Sequence, residues 1–233
     1  MADTTIVVVD NFYPDPMAVR KLALEMTYFD ATSETDRRFY RGLLCPPIPT
    51  LVQLGMEILS ERLRAVTTWP MSHGEFRLMF APGEATKDKR TWIHFDSLVT
   101  RYSSLVFLNP PEQCTGGTSL YRHRELQIDR LPQPSSPEAA TLLQRTGLTW
   151  EKLLAKLIAD GHDIATKWEE FGHIAMRFNR CLVFDGSLFH SRTSGFGTTK
   201  ETGRLTQSFF FDVVEVPRSY VPVPPATHPM FAS

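Results

Sequence analysis

The chain has 233 residues, 42% of them hydrophobic and 22% charged, with Lys+Arg 25 against Asp+Glu 26 and a formal net charge of -1. That length allows one domain with a substantial core, and the balanced charge gives no long-range pull towards nucleic acid or an anionic membrane. No basic run is interleaved with aromatics, no apolar run approaches the roughly 20 residues that span a bilayer, and the N-terminus lacks the basic and apolar regions of a signal peptide; a cytoplasmic protein without nucleic-acid or membrane partners is expected.

Thr5 to Val9 is a β-branched run closed by Asp10-Asn11, which predicts a strand and a turn. Met17, Val19, Leu22, Ala23 and Met26 recur at helical spacing behind Asp15, a candidate cap, so residues 14–26 should be helical. Residues 34–49 are polar and then Pro-rich, a loop. Leu51, Leu54, Ile58, Leu59, Leu63 and Val66 predict an amphipathic helix over 50–66. From residue 74 the pattern changes to extended chain: GEFRLMFAPGE, stopped at Pro82-Gly83, then TWIHFDSLVTRYSSLVFLNPP, then GGTSLYRH. Helical spacing returns over 138–171 through Leu142, Leu143, Leu153, Leu154, Leu157, Ile158 and Trp168, with breaks at Gly147 and Gly161. HIAMRFNRCLVFDG and GRLTQSFFFDVVEV read as strands again, and PVPPATHP as irregular tail. No repeat or long linker interrupts this order. A single domain over 1–233 is expected, mainly β with flanking helices in a sandwich or open barrel, and with 137–171 as a helical insertion. The insertion is expected to be a lid over an active site or a contact between copies, which leaves a homodimer open. Cys45, Cys114 and Cys181 are far apart, odd in number and without a CxxC, so free thiols, buried or half-buried in a reducing compartment, are expected rather than a disulfide or a cysteine zinc site.

The chemistry concentrates in two places. On a strand, residues two apart share a face, so His94 and Asp96 can reach one ion while Phe95 turns into the packing behind. Alone, HxD reads equally well as a partly buried histidine bonded to a neighbour. His190, at the end of a distant aromatic strand, would bring a second imidazole. Two imidazoles and a carboxylate hold one face of an octahedral ion and leave three positions open, the set used by non-haem iron(II) oxygenases. On the next strand Arg204, Thr206 and Ser208 share a face. A guanidinium fork with a hydroxyl nearby suits a carboxylate, and a buried dicarboxylate needs such pairing. By itself, Arg204 also reads as a strand-end surface charge.

Together these segments resemble the Fe(II)/2-oxoglutarate-dependent dioxygenase superfamily, nearest its prolyl-hydroxylase-like branch. MFAPGE…WIHFD resembles that branch's strand, Pro-Gly turn and HxD; LNPPEQCTGGTSLY resembles its Leu-Asn and Gly-Gly-Thr strand pair; NRCLVFDGSLFHS…GRLTQSFFF resembles its distal His strand and arginine strand. The likeness covers residues 74–124 and 173–213, with VVVDNFYPDP a looser match at the N-terminus, while 137–171 has no counterpart in the simplest members. It implies a double-stranded β-helix, the jelly-roll or cupin-like fold. It also implies Fe(II) held by His94, Asp96 and His190, 2-oxoglutarate paired with Arg204 and assisted by Thr206 or Ser208, and O2 as the other co-substrate. The activity implied is oxidation, most simply hydroxylation, of a small molecule such as an amino acid or its derivative, with succinate and CO2 as co-products. Where many members carry a tyrosine before the Pro-Gly turn, this chain has Phe80; Tyr102 or Thr100 are the candidates to replace its contact with 2-oxoglutarate. The presence of Asp96 argues against halogenation, since family halogenases carry a small residue there.

Arg77 and Trp92 are candidate substrate-side residues, an arginine suiting a substrate carboxylate. His123, within YRHRE, is expected in a solvated basic turn; His73, His162, His173 and His228 lack partners at ligand spacing and are expected to be structural or exposed. Two other functions fit the same sequence. A cupin-like metalloenzyme, isomerase or hydrolase, would work without 2-oxoglutarate, keep its activity in Arg204→Ala and form no succinate. A non-catalytic jelly-roll binding protein would carry no metal.

Overall fold

Alternation along the strands decides which side chains meet in this protein. The computed structural model describes residues 6–30, 42–68, 74–81, 92–96, 99–193 and 195–214. In chain order these form β1 (Ile6–Val9), α1 (Pro16–Glu25), β2 (Phe29–Asp30), β3 (Leu43–Cys45), α2 (Pro49–Leu63), β4 (Val66–Thr68), β5 (Glu75–Met79), β6 (Tyr102–Phe107), β7 (Gly117–His123), α3 (Pro137–Thr146), α4 (Trp150–Asp160), α5 (Ile164–Lys167), β8 (Trp168–Ala175), β9 (Cys181–Asp185), β10 (His190–Arg192) and β11 (Arg204–Val214). The strands make two antiparallel sheets. The large one runs β1-β9-β6-β11-β5-β3-β2, with β4 also paired to β11; the small one runs β10-β7-β8.

Phe76 and Leu78 of β5, Tyr102 and Val106 of β6, Cys181 and Val183 of β9, and Leu205, Phe209 and Phe211 of β11 form one face of the large sheet. They pack into a single apolar core with α1 and α2. Asp15 caps α1 by accepting the Ala18 N–H at 2.9 Å. The opposite face carries Phe107, Leu182 and Phe184, which pack against Leu120 and Leu188 from the small sheet's side. The gap between the sheets is therefore apolar at one end and, as described below, polar at the other.

The helices α3–α5 lie between β7 and β8, two strands that pair with each other. Ser136 and Thr149 cap α3 and α4, and Gly147 ends α3 in the left-handed region, at φ 67°. Leu142, Leu153 and Leu157 form a second core with Ile93, Trp168 and Phe189. His123 corrects the expectation of a solvated turn. It is fully buried, its Nε2 lies 3.0 Å from Asp160 Oδ2, and its Nδ1 accepts the Leu126 N–H. That acceptor role fixes the proton on Nε2, which donates to the carboxylate. Burial pushes the His123 pKa down against the pull of Asp160.

Several boundaries differ from the sequence pattern. Helical spacing ran to residue 171, yet Trp168 opens β8, because pairing with β7 outweighs local periodicity. Val66 belongs to β4 and residues 43–45 to β3, short strands recruited by neighbours rather than by their own pattern. Cys45 and Cys181 are buried free thiols and Cys114 is half-buried. The Pro82-Gly83 turn, His73, His228, Thr5 and the tail PVPPATHP lie outside the described residues. Among the described residues no helix is long and apolar enough to cross a membrane.

Candidate metal centre

The segment 92–96 touches the small sheet at one antiparallel bridge, His94 opposite His190. The two residues exchange both backbone bonds, at 3.1 and 2.9 Å. Residues paired in this way sit directly opposite and project to the same face, and the imidazole centroids are accordingly 4.5 Å apart. Asp96, two residues on, returns to that face, and its N–H is held by Gly186 O at 2.8 Å. The carboxylate is shared between the rings: Oδ1 is 3.6 Å from His94 Nε2 and Oδ2 is 3.4 Å from His190 Nε2. All three ligand atoms fall within 4.8 Å of one another, close enough to hold one metal ion.

Both histidines are oriented by the same local device. His94 Nδ1 lies 3.0 Å from Trp92 O, and His190 Nδ1 lies 2.9 Å from Leu188 O. A carbonyl only accepts, so each Nδ1 carries the proton and each Nε2 keeps its lone pair towards Asp96. A backbone acceptor behind a ligand ring is the usual way to fix tautomer and ring plane. Burial and the neighbouring His190 push His94 down to about 4, so it is neutral near pH 7. Burial works to raise Asp96, but His190, His94, a hydrogen bond from Ser103 and the charge of Arg77 together hold it below the usual carboxylate value. The site thus presents two imidazole Nε2 atoms and one carboxylate.

These ligands open into a cavity of about 210 Å³ between the sheets. Arg204, Thr206 and Ser208 of β11 line it, as period-2 geometry requires, together with Arg77 and Met79 of β5. Arg204 is 4% exposed, and its guanidinium lies over the Phe107 ring at 5.5 Å. It is no surface charge. Its backbone position is set by Asn109, whose Oδ1 accepts the Leu205 N–H at 2.7 Å and whose Nδ2 donates to Gly203 O at 2.8 Å. The amide therefore brackets Arg204 on both sides. The hydroxyls of Ser208 and Thr118 are buried in this wall without a hydrogen-bond partner among the described residues, an arrangement that suits a ligand rich in oxygen.

Two of the sequence-derived positions do not reach this cavity. Tyr102 lies opposite Phe211 on β11 and stacks on it at 5.7 Å, on the helix-covered face of the large sheet. Thr100 is buried but lines a different, larger cavity of about 860 Å³. Period-2 counting from Asp96 failed because 92–96 joins the small sheet and 102–107 the large one, so no common pleat links them. Trp92 is a further correction: it stands behind His94, packed towards α4, and does not line the small cavity. Arg77 does line it, 3.3 Å from Glu75. Sequence reading passed over Arg192 and Thr118, which also line it. Arg192 follows His190 by two on β10 and lies opposite Thr118, so alternation carried one strand further would have found both.

A family model described as "Family of unknown function (DUF6445)" matches residues 1–211. No curated protein matches the sequence. Among solved structures, HygX from Streptomyces hygroscopicus with nickel and 2-oxoglutarate bound is similar at 12% identity and TM-score 0.48, covering 94% of this chain and 86% of that one. AviO1 from Streptomyces viridochromogenes Tue57 gives 12% identity and TM-score 0.44 over 94% and 93%. EctD from S. alaskensis with bound Fe gives 14% identity and TM-score 0.41 over 89% and 72%.

Proposed function

The chain belongs to DUF6445, a family of unknown function, and we propose that it is an Fe(II)- and 2-oxoglutarate-dependent oxygenase, most simply a hydroxylase of a small molecule such as an amino acid or its derivative. The observation that carries this reading is one cavity with His94, Asp96 and His190 converging at one place and buried Arg204 in its wall. The path of the chain supports it. From β5 onwards the segments fall in the large, small, large, small, small, large, small and large sheet, counting 92–96 with the small one. We read this as a double-stranded β-helix, with 137–167, the helical part of the expected 137–171 insertion, between β7 and β8, and its motifs as closest to the prolyl-hydroxylase-like branch. The whole chain acts as one domain in the cytoplasm.

Iron and 2-oxoglutarate, when bound, supply oxygen activation coupled to decarboxylation of the oxo-acid, with succinate and CO2 as products. The residues supply the rest. His94, Asp96 and His190 would hold the metal, and with only three protein ligands the ion would keep positions for the oxo-acid and oxygen. Arg204 pairs with a carboxylate, and Thr206, Ser208 and Thr118 offer hydroxyls to its oxygens. The small cavity suits the co-substrate. At about 860 Å³ the larger one falls within the usual range for small-molecule sites; it adjoins the metal segment, since Gly186 bonds both Asp96 and Arg101 while Asp185 and Ser187 line its wall. We assign it to the substrate.

Incubated aerobically with Fe(II) and 2-oxoglutarate, the purified protein should release succinate, slowly without substrate and faster with it. Asp96→Ala should release none. Turnover of a substrate without succinate, undiminished in Arg204→Ala, would select an isomerase or hydrolase on the same metal site instead.

A further inference from the structure

We propose that His162 and Gly161, acting through the indole of Trp92, are positioning residues that lock the His94 ring in its metal-binding orientation. The proposal rests on His94, Asp96 and His190 being the metal ligands and does not depend on the co-substrate.

The segment that carries His94 and Asp96 is held to the small sheet at a single bridge, so its ligand rings need support from another side. That support comes from the junction of α4 and α5. Gly161 O accepts the Ile93 N–H at 3.0 Å, on the edge away from His190. Trp92 lies between two imidazoles: its ring centroid is 5.6 Å from His162, with the planes 13° apart, and 5.5 Å from His94, with the planes 21° apart. The three rings form one stack, and His94 also bonds Trp92 O through Nδ1. One residue thus sets both the tautomer and the plane of the ligand ring. The space between α4 and residues 92–95 is nearly closed, with a void of only about 10 Å³. A Cβ at position 161 would collide with the Trp92 indole nitrogen, so only glycine lets the backbone approach this closely. Rotation of His94 away from Asp96 would unstack Trp92 from it, and Trp92 cannot follow while His162 covers its other face.

Co(II) titration of the full chain, read by the visible ligand-field bands, tests this without turnover. Outer-shell partners of metal ligands are worth ~10–100-fold in affinity; His162→Ala should weaken Co(II) at least ~10-fold and change the band shape. His162→Phe, which restores a flat ring, should recover wild-type affinity and spectrum. Gly161→Ala should weaken Co(II) as His162→Ala does. Leu142→Ala, which hollows the same helical core away from the stack, should lower the melting temperature and leave the spectrum unchanged. Wild-type affinity and spectrum in His162→Ala would overturn the proposal. So would failure of His162→Phe to restore binding, or equal weakening by Leu142→Ala. If the wild-type chain itself binds no Co(II), the metal assignment fails first and the positioning role with it.

Discussion

Arg204 and His94 face one cavity from two differently built strands. β11 is paired on both sides, with β5 over Arg204–Ser208 and with β6 over Thr206–Phe211. The 92–96 segment has one bridge, one bond from Asp96 to Gly186, one from Ile93 to Gly161, and the ring stack against the α4–α5 junction. Arg204 is therefore held mainly by regular backbone pairing, with the Asn109 side chain bracketing it, so few side-chain substitutions disturb its position. His94 and Asp96 are held by a few scattered backbone bonds and by side-chain stacking, which substitutions touch directly. Arg204 stands in the middle of a sheet, which makes that half of the cavity robust; the half assembled from a lone bridge depends on the helical segment beside it.

That contrast can be broken at either end. The largest effect should come from Arg204→Ala. Removing one partner of a buried charge pair costs about 2–5 kcal/mol, so 2-oxoglutarate affinity, followed by calorimetry, should fall at least ~30-fold while Co(II) affinity stays unchanged. A parallel loss of both would mean the two ends are not independent. Asn109→Ala comes next. It leaves Gly203 O and Leu205 N–H unpaired beside Arg204, and buried polar groups left without partners cost about 1–3 kcal/mol each. Urea denaturation should show that loss, and 2-oxoglutarate binding should weaken with the metal retained. A third variant tests the fit of the pocket wall. Ser208→Ala removes a buried hydroxyl that has no hydrogen-bond partner among the described residues, so it should leave stability unchanged within ~0.5 kcal/mol and weaken 2-oxoglutarate by a few-fold. A stability loss without any change in affinity would show that the hydroxyl faces protein.

The smallest effect is a pH dependence confined to the helical side. Burial lowers His123 in the folded state. Asp160 is also lowered: burial raises it, but hydrogen bonds from Lys156 and His123 outweigh this. Each group is then more basic in the unfolded chain, so stability rises with pH. The His123 share is complete above the unfolded value near 6.5 and is lost as pH falls towards the lowered folded value. The Asp160 share is lost at lower pH still. Hydrogen exchange should show α3–α5 opening below about pH 6 while β5, β6 and β11 stay protected. Uniform opening of both regions would deny the distinction.

Much of this was legible in the sequence. His94 with Asp96, and Arg204 with its two hydroxyl neighbours, lie where alternation within a single strand puts them, because each set sits on one pleat; His190 comes from a different strand and was found as the second imidazole of the set. Reading failed where it crossed between strands. Tyr102 was carried from Asp96 across a change of sheet and sits on the opposite face. Trp92 faces α4 because the segment it belongs to is bonded on its far edge by Gly161. His123 and His162 have partners 37 and 70 positions away, Asp160 and Trp92, separations that no local spacing reveals. Trp168 carries helical spacing yet pairs with β7 as a strand. The short strands β2, β3 and β4 exist only because a neighbouring edge was there to receive them.

The central claim is that one small cavity holds a metal on His94, Asp96 and His190 and a dicarboxylate on Arg204 at the same time. Anaerobic addition of Fe(II) and 2-oxoglutarate reads this directly by visible absorption. A weak charge-transfer band that needs both additions, survives in Tyr102→Phe and vanishes in Asp96→Ala is the result predicted; no band in the wild type, or an undiminished one in Asp96→Ala, would contradict it.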